Sequence, residues 1–230
     1  MASSGRTPMG EQAEPASTRD RLLTVGQRLF ADRGVYQVPL KSIVDGARQR
    51  NASALHYHFG NRQGLLTAII DRHNAAIERE RAEMLASIGD DPGIRRIVEA
   101  FVVPFSRKLA DDDGREFLRI VAQLADLFDL WDAPVRRTPT QAARVLVMLG
   151  DRLAPADPAI HHERLTLFIG LVADGLALQA RRLARPGGAG LDNDRFVENL
   201  IDMAVGALSA PITPAETGSK HGGATGEETR

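Results

Sequence analysis

The sequence predicts an all-α protein of about nine helices, and three observations lead to this fold class. Apolar residues recur with the period of an α-helix through most of the chain, whereas no stretch alternates apolar and polar side chains over the length of a strand. Glycine, proline and paired aspartates interrupt the helical period at intervals of ordinary helix length. The 230 residues include 43% apolar and 26% charged side chains, a balance typical of proteins that fold around a buried core.

The amino-terminal helices are the most clearly delimited. The first helix begins at Ser17 or Thr18, whose hydroxyl can cap free backbone N–H groups, and Gly34 ends it with a left-handed turn. A helix of about two turns follows Pro39, and a third helix runs over Ser53–Phe59. The expected buried positions are Leu22, Val25, Leu29 and Phe30, then Leu40, Ile43, Val44 and Ala47, then Ala54, Leu55 and Phe59.

A long helix follows these short ones. Asn61 is its expected cap, and the helix runs to about Ile88 before the strong break at Asp90–Gly93. Its buried face comprises Leu65, Leu66, Ile69, Ile70, His73 and Ile77. Five more helices are expected over about residues 93–110, 114–130, 136–153, 158–184 and 192–209.

Composition excludes several classes of protein. The chain contains no cysteine, so disulfides, thiolate metal sites and iron–sulfur clusters are not open to it. No apolar run has the roughly 18 residues that a membrane span needs, and the amino terminus has no hydrophobic signal segment. Phosphate-cradling glycine loops and the HExxH and GxSxG motifs are also missing. We therefore expect a cytoplasmic protein that is not an enzyme, with no catalytic residues, no cofactor, no metal and no membrane contact.

Charge and composition divide the chain into four segments. Residues 1–16 and 211–230 are rich in Gly, Ser, Thr, Pro and Glu, so we expect two disordered tails. Residues 17–72 carry nine basic and four acidic side chains, whereas residues 73–230 carry 19 basic and 24 acidic ones. A cationic unit over 17–72 and a larger helical unit over 73–210 are typical of a head that binds a polyanion, joined to a body that does not.

The order of helices in the cationic unit indicates a helix-turn-helix. Two short helices are joined by a tight basic turn, braced by a preceding helix and followed by a long one. In such a unit the second short helix enters the major groove of DNA while neighbouring residues hold phosphates. We expect Arg50, Asn51 and Ser53 to contact bases, because arginine can bind guanine and asparagine can bind adenine through paired hydrogen bonds.

Three stretches of this unit resemble the amino-terminal domain of the TetR family of bacterial transcriptional regulators. They are RLLTVGQRLFADRGV (Arg21–Val35), PLKSIVDGA (Pro39–Ala47) and ALHYHFGNRQGLLTAII (Ala54–Ile70). The resemblance implies a DNA-binding domain followed by a helical effector-binding and dimerisation domain. It further implies a repressor that binds a near-palindromic operator in double-stranded DNA as a homodimer and is released by a small-molecule effector.

The same resemblance implies roles for single residues. His58 and Arg62 would contact phosphate, Tyr57 would lie at the backbone or a base edge, and Lys41 would lie near phosphate. The position of Arg62 in the first turn of a helix independently favours an anion there.

The sequence also departs from the family pattern. The turn before the third helix, Ser53–Phe59, which would enter the major groove, is one residue longer than usual in the family. Arg48 replaces the common turn glycine, and His56 occupies the usual tyrosine position. We include both residues in the expected DNA contact surface.

Each assignment has a simpler alternative. Arg48 and Arg50 could merely solvate a turn, Tyr57 could be a half-buried packing residue, and His58 could only cap the local core. For the whole protein, the alternative function is a helical dimeric adaptor whose basic face binds an acidic protein partner. Binding that weakens steeply with salt and prefers one duplex sequence separates the DNA-binding function from the adaptor.

The larger unit offers a candidate effector pocket and a candidate dimer interface. Aromatic residues at helical spacing and a proline at position 104, which can kink its helix, suggest a cavity, although the same residues could simply form the core. The pocket candidates are Phe101, Phe105, Phe117, Arg119, Gln123, Leu124, Phe128, Trp131, Met148, Phe168 and Asp174.

Helices 158–184 and 192–209 each carry two apolar stripes, so pairing with a second copy in a four-helix interface would bury both. The expected interface residues are Leu165, Phe168, Val172, Leu176, Phe196, Leu200, Met203 and Ala207. The alternative is that both stripes of each helix, including Leu167, Leu171 and Leu178, are buried inside one chain.

Overall fold

A computed structural model describes residues 17–51, 53–124, 140–153, 157–185, 187 and 190–213. Within these ranges the chain forms nine α-helices, one short 3-10 turn and no strand, so the prediction of an all-α fold is confirmed. In the same ranges, no helix combines the length and the apolar character that crossing a bilayer requires. The helices are α1 (Thr18–Arg33), α2 (Leu40–Gly46), α3 (Ala54–Phe59), α4 (Arg62–Ser87), α5 (Ile94–Ser106), α6 (Asp112–Leu124), α7 (Gln141–Gly150), α8 (Pro158–Leu183) and α9 (Asn193–Ser209).

Local signals set the ends of the amino-terminal helices. The Ser17 side chain accepts a hydrogen bond from the Asp20 N–H at the start of α1, and the Asn61 side chain accepts one from the Gly64 N–H at the start of α4. Gly34 ends α1 with a φ of 97°, a left-handed conformation that glycine adopts at no steric cost. These caps agree with the sequence predictions.

Helices α1 to α4 enclose a first hydrophobic core, which forms the head of the molecule. Leu22 and Phe30 of α1, Ile43 of α2 and Leu65 of α4 are fully buried in it, and Leu55 of α3 is 2% exposed. This core holds the two short helices in place, since helices of six and seven residues are not stable alone in water.

A second, larger core lies among α4, α5 and α7 to α9. Phe101 of α5, Leu149 of α7, Leu176 of α8 and Leu200 of α9 are buried in it. Pro104 lies inside α5, and a 3-10 turn at Arg107–Leu109 follows that helix. The single helix expected over 93–110 is therefore divided near its end.

Helix α6 joins the two cores. Ile120 and Leu124 of α6 belong to the core of the head, whereas Phe117 and Leu118 belong to the larger one. Rotation or translation of α6 therefore cannot leave the head unchanged.

One predicted helix bound differs from the structure, and another lies outside the described residues. Thr140 caps α7 by accepting a hydrogen bond from the Ala143 N–H, so this helix begins later than the expected position 136. Helix α6 is described as far as Leu124, and the remainder of the helix predicted over 114–130 lies outside the described residues.

Candidate functional site

Helix α3 is fixed to the head by few contacts. Leu55 is its buried anchor, and Phe59 is half-buried with the Arg19 guanidinium 5.2 Å from its ring centroid. Gly60 ends the helix with a φ of 74°. The remaining positions of α3 are thus available for contacts outside the molecule.

The outer face of α3 is polar and aromatic. Tyr57 is 86% exposed, so the alternative that it is a half-buried packing residue is wrong. Ser53 and His56 are exposed beside it. The half-buried His58 ring packs edge-on against the Tyr57 ring, with the ring centroids 5.1 Å apart. An aromatic ring presented to solvent among hydrogen-bonding groups suits contact with a polar partner.

The turn before α3 contains an uncommon backbone conformation. Arg48, which replaces the turn glycine expected from the family pattern, has a φ of 54° and is exposed. A non-glycine residue in this left-handed region carries a steric cost. The Asn51 side-chain oxygen accepts a hydrogen bond of 2.9 Å from the Ser53 N–H and so fixes the entry into α3.

The cations of this surface carry unbalanced charge. Lys41 of α2 and Arg48 and Arg50 of the turn are exposed and form no ion pair within the described residues. By contrast, Arg72 pairs with Asp113, 2.5 Å away. We call Lys41, Arg48, Arg50, Asn51, Ser53, His56, Tyr57 and His58 the reading surface.

Arg62 differs from its expected role. Its Nη2 donates a hydrogen bond of 2.7 Å to the Val38 carbonyl, and its Nη1 donates another to the Val35 carbonyl. Its guanidinium also lies 5.6 Å from the Phe30 ring centroid. In this structure Arg62 therefore holds the α1–α2 connection against α4, an arrangement that differs from the expected phosphate contact.

A polar cluster around the buried Gln27 and His73 connects α1, α4 and α6, and we call it the polar joint. It comprises Gln27, Arg72, His73, Asp113 and Glu116. The Gln27 amide nitrogen donates to the backbone carbonyl and the carboxylate of Asp113, both at 2.9 Å. The Gln27 amide oxygen accepts from Arg72 at 2.7 Å and from the His73 ring at 2.9 Å. One glutamine thus unites the head, the long helix and α6.

Burial sets the protonation of the joint. It lowers the pKa of His73 to about 4, although the Asp113 carboxylate, 3.6 Å away, acts in the opposite direction. His73 is therefore neutral near pH 7, and its Nε2–H donates to Gln27. The imidazole stacks on Phe117 with ring centroids 4.3 Å apart. Burial also raises the pKa of Glu116.

Sequence reasoning missed this joint, although one local signal was present. Gln27 lies on the apolar face of α1 between Leu23 and Phe30, and it is fully buried. A polar residue at such a position needs partners, because a buried amide without hydrogen bonds is costly.

Two polar residues expected in the effector pocket lie against the head instead. The Arg119 guanidinium pairs with Asp32 of α1 at 3.0 Å. The Gln123 side chain accepts from the Val35 N–H at 2.8 Å and donates to the Phe30 carbonyl at 3.3 Å. Both residues therefore extend the contact between α6 and the head, and the structure does not bring them together with the other pocket candidates that it describes.

The larger unit contains a small apolar cavity. Its volume is about 40 Å³, and its wall includes Phe101 and Phe105 from the expected pocket. The other wall residues are Leu118, Val121, Ile169, Val172, Ala173 and Leu176.

The other pocket candidates within the described ranges do not line this cavity. Phe117, Met148 and Phe168 pack in the larger core, Leu124 packs in the core of the head, and Asp174 is exposed. Phe128 and Trp131 lie outside the described residues.

A wider groove of about 590 Å³ lies on the head between α1, α3 and α4. Arg19, Asp20, Asp71 and Arg72 stand on its walls. Because both signs of charge are present and the groove is open to solvent, it favours no class of ligand.

The predicted dimer interface lies mostly on the wrong face. Six of its eight residues are buried within the chain: Leu165, Phe168, Val172, Leu176, Phe196 and Leu200. Met203 and Ala207 are exposed, as expected of interface residues in an isolated chain. The second stripe of α8 is partly open, with Leu167 63% and Leu178 41% exposed, so burial of both stripes inside one chain is also wrong.

No family model matches the sequence, and no curated protein matches it. The structure is similar to a TetR-family regulator from Streptomyces coelicolor A3, with 20% identity, coverage of 86% of this chain and 99% of that chain, and a TM-score of 0.41. A second TetR-family regulator from Streptomyces coelicolor is 20% identical, with coverage of 83% of this chain and 94% of that chain and a TM-score of 0.42.

A gamma-butyrolactone receptor described as ArpA-like is 17% identical, with coverage of 82% of this chain and 96% of that chain and a TM-score of 0.43. Likenesses of this level do not transfer a function. The function is therefore argued from the residues of this chain.

Proposed function

We propose that this chain is a DNA-binding transcriptional regulator of the TetR type. It binds a near-palindromic operator as a homodimer, represses transcription there and is released by a small molecule. The observation that carries this proposal is the reading surface, where exposed cations without ion pairs flank a short helix that presents an exposed tyrosine. Such a surface fits the major groove and the phosphates beside it.

The residues of the reading surface divide into two roles. Lys41, Arg48 and His58 contact phosphates and fix the orientation of α3 on the duplex. Arg50 and Tyr57 contact base edges, because an arginine fork suits guanine and an exposed phenol can donate or accept.

Other members of the surface support this contact. His56 and Ser53 extend the base-reading face of α3. Asn51 keeps its side-chain NH₂ group for the duplex, while its oxygen orders the start of the helix through the Ser53 N–H.

The outer faces of α8 and α9 form the dimer interface. Leu167 and Leu178 on α8 and Met203 on α9 are large apolar side chains exposed in the isolated chain. Gly170 and Gly206 add small residues, and beyond their own helices no described residue lies within 4 Å of the position a Cβ would take. A second copy seated there buries these apolar groups and places two heads on one side of a duplex.

The contacts of α6 supply a route for release. A ligand that favours one position of α6 also favours one position of the head, because the polar joint, Arg119 and Gln123 all connect α6 to α1 or the α1–α2 connection. Such a ligand shifts the equilibrium only by the difference between its affinities for the two arrangements.

The test is to select duplexes from a random pool with the full chain. The affinity for the most enriched duplex is then measured over a range of salt concentrations. We expect one symmetric sequence and a steep log–log salt slope. Lys41→Ala should reduce the slope by about two units, roughly one for each copy in the dimer, whereas Arg96→Ala, an exposed arginine of α5, should leave the slope unchanged. Binding without sequence preference contradicts the proposal and favours the adaptor.

A further inference from the structure

We infer that the effector is an uncharged apolar molecule of about one ring, that it enters the apolar cavity between α5, α6 and α8, and that Arg81 transmits its binding to α4. This inference rests on the proposed function, since it names the ligand class and the transmitting residue for that regulator.

The first step is a missing hydrogen-bond donor inside α5. Pro104 has no N–H, so the carbonyl of Ala100 has no donor within the helix. Arg81 of α4 supplies the missing donor, with its Nε 3.2 Å from the Ala100 oxygen. Its Nη2 also donates to the Phe101 oxygen at 3.3 Å. A side chain of the long helix therefore completes the hydrogen bonding of its neighbour.

The second step is the confinement of Arg81. Its side chain is fully buried, and its guanidinium lies 5.2 Å from the Phe101 ring centroid and 5.3 Å from that of Phe105. Glu78, one turn away on α4, forms its ion pair, and burial lowers the pKa of Arg81. A buried charge must keep its partners, so Arg81 has to follow the two carbonyls and the two rings when they move.

The third step is that the same two rings form the α5 wall of the apolar cavity. The cavity of about 40 Å³ is close to the share of one water molecule in the liquid, about 30 Å³, whereas a cavity of about 150 Å³ accepts benzene. A ring-sized ligand must therefore push the walls apart. Phe105 is the half-buried member of the pair and has the most freedom to move.

The class of ligand follows from the lining. All eight wall residues are apolar, and no charged or hydrogen-bonding side chain is among them. A carboxylate or an ammonium group would lose its hydration there without gaining a partner. An uncharged aromatic or alicyclic molecule loses little and gains contacts with Phe101 and Phe105.

The fourth step connects the cavity to the head. Arg81 lies on α4, two turns beyond Arg72 and His73 of the polar joint. A ligand that displaces Phe101 or Phe105 displaces the carbonyl acceptors and the rings that hold Arg81 and thus biases α4, and the joint carries this bias to Gln27 of α1. Arg81 acts here as a positioning residue, because it lines no part of the cavity.

The experiment uses the full chain and its selected duplex with four single-ring probes: toluene and benzene, which are uncharged, and benzoate and benzylamine, which are charged. Binding is followed by calorimetry without DNA, and release is followed by fluorescence anisotropy of labelled duplex. We expect the uncharged probes to bind at least tenfold more tightly than the charged ones and to release the duplex. Equal binding of all four, or no binding of the uncharged pair, overturns the inference.

Variants test ligand binding in the cavity and transmission through Arg81 separately. Ala173→Val adds two methyl groups to the wall and should weaken toluene binding at least tenfold. Arg81→Met should keep toluene binding but lose most of the release. Arg81→Lys keeps the positive charge but cannot donate to both carbonyls in the same way, and it replaces the methionine variant in the experiment if that variant does not fold. Release that is unchanged in a folded Arg81 variant overturns the transmitting role.

Failure of the inference is distinguishable from failure of the proposed function. If the wild-type chain selects no duplex, the regulator proposal fails whatever the probes do. If it selects a duplex and only charged probes bind or release it, the regulator proposal stands and this inference fails.

Discussion

Acidification should destabilise this protein through His73, by an amount that follows from its burial. The pKa of the imidazole is about 4 in the folded chain and 6.5 in the unfolded one. Because the folded pKa is the lower one, the unfolded chain binds the extra proton, and stability present above pH 6.5 is lost as the pH falls towards 4. The whole difference corresponds to roughly 3 kcal/mol, and about 2 kcal/mol of it falls between pH 7 and pH 5.

Urea unfolding followed by circular dichroism at pH 7 and pH 5, at fixed protein concentration, measures this loss. His73→Gln is the control, since it keeps a hydrogen-bonding group next to Gln27 and removes the titration. Glu116 acts with the opposite sign, because a carboxyl group with a raised folded pKa favours the folded state on acidification, but it is present in both proteins. The wild type should lose about 2 kcal/mol more than the variant. Equal losses would refute the assignment of a buried neutral imidazole.

Three further outcomes are expected. Arg48→Gly should raise the free energy of unfolding by about 1 kcal/mol in urea titrations, by relieving the positive φ, yet weaken duplex binding in anisotropy measurements. Leu167→Glu should give a folded monomer in analytical ultracentrifugation, whereas Leu165→Glu should unfold the chain, because only the former is exposed. Arg62→Met should cost about 1–3 kcal/mol of stability in urea and leave the salt slope of binding unchanged, since its guanidinium serves two carbonyls.

Each of these outcomes has a result that contradicts it. An Arg48→Gly protein that binds the duplex as tightly as the wild type would remove Arg48 from the reading surface. A dimeric Leu167→Glu protein would place the interface elsewhere. A flatter salt slope in the Arg62→Met protein would restore the phosphate contact that the family resemblance implied.

Most of the fold could be predicted because its signals are local. The cap at Ser17, the left-handed Gly34 and the cap at Asn61 each act within a few residues, and the structure has them where the sequence indicates. The short α3 with its buried Leu55 and exposed Tyr57 also follows from the pattern of its own residues.

The partners of the long polar side chains could not be predicted in the same way. Arg62 meets a carbonyl 27 residues away and Gln123 an N–H 88 residues away, so their roles depend on tertiary packing. An arginine at the start of a helix fits a phosphate and a pair of carbonyls equally well by local criteria.

The orientation of α8 is a second example. This helix carries two apolar stripes, and periodicity alone does not say which one faces the chain's own core. The packing of α6 and α9 against α8 buries Leu176 and leaves Leu178 partly exposed. The sequence shows that α8 has two apolar stripes, but it does not show which of them the fold leaves exposed.

We propose that α3 and the turn before it read base edges in the major groove, and methylation interference on the selected duplex is the sharpest check of this contact. Guanine N7 lies in the major groove, so its methylation blocks a contact made there. We predict that methylation at symmetric guanines of two half-sites prevents binding, and that Arg50→Ala removes the sensitivity at one pair of them. Binding that tolerates methylation at every guanine, or an interference pattern without two-fold symmetry, would contradict the claim.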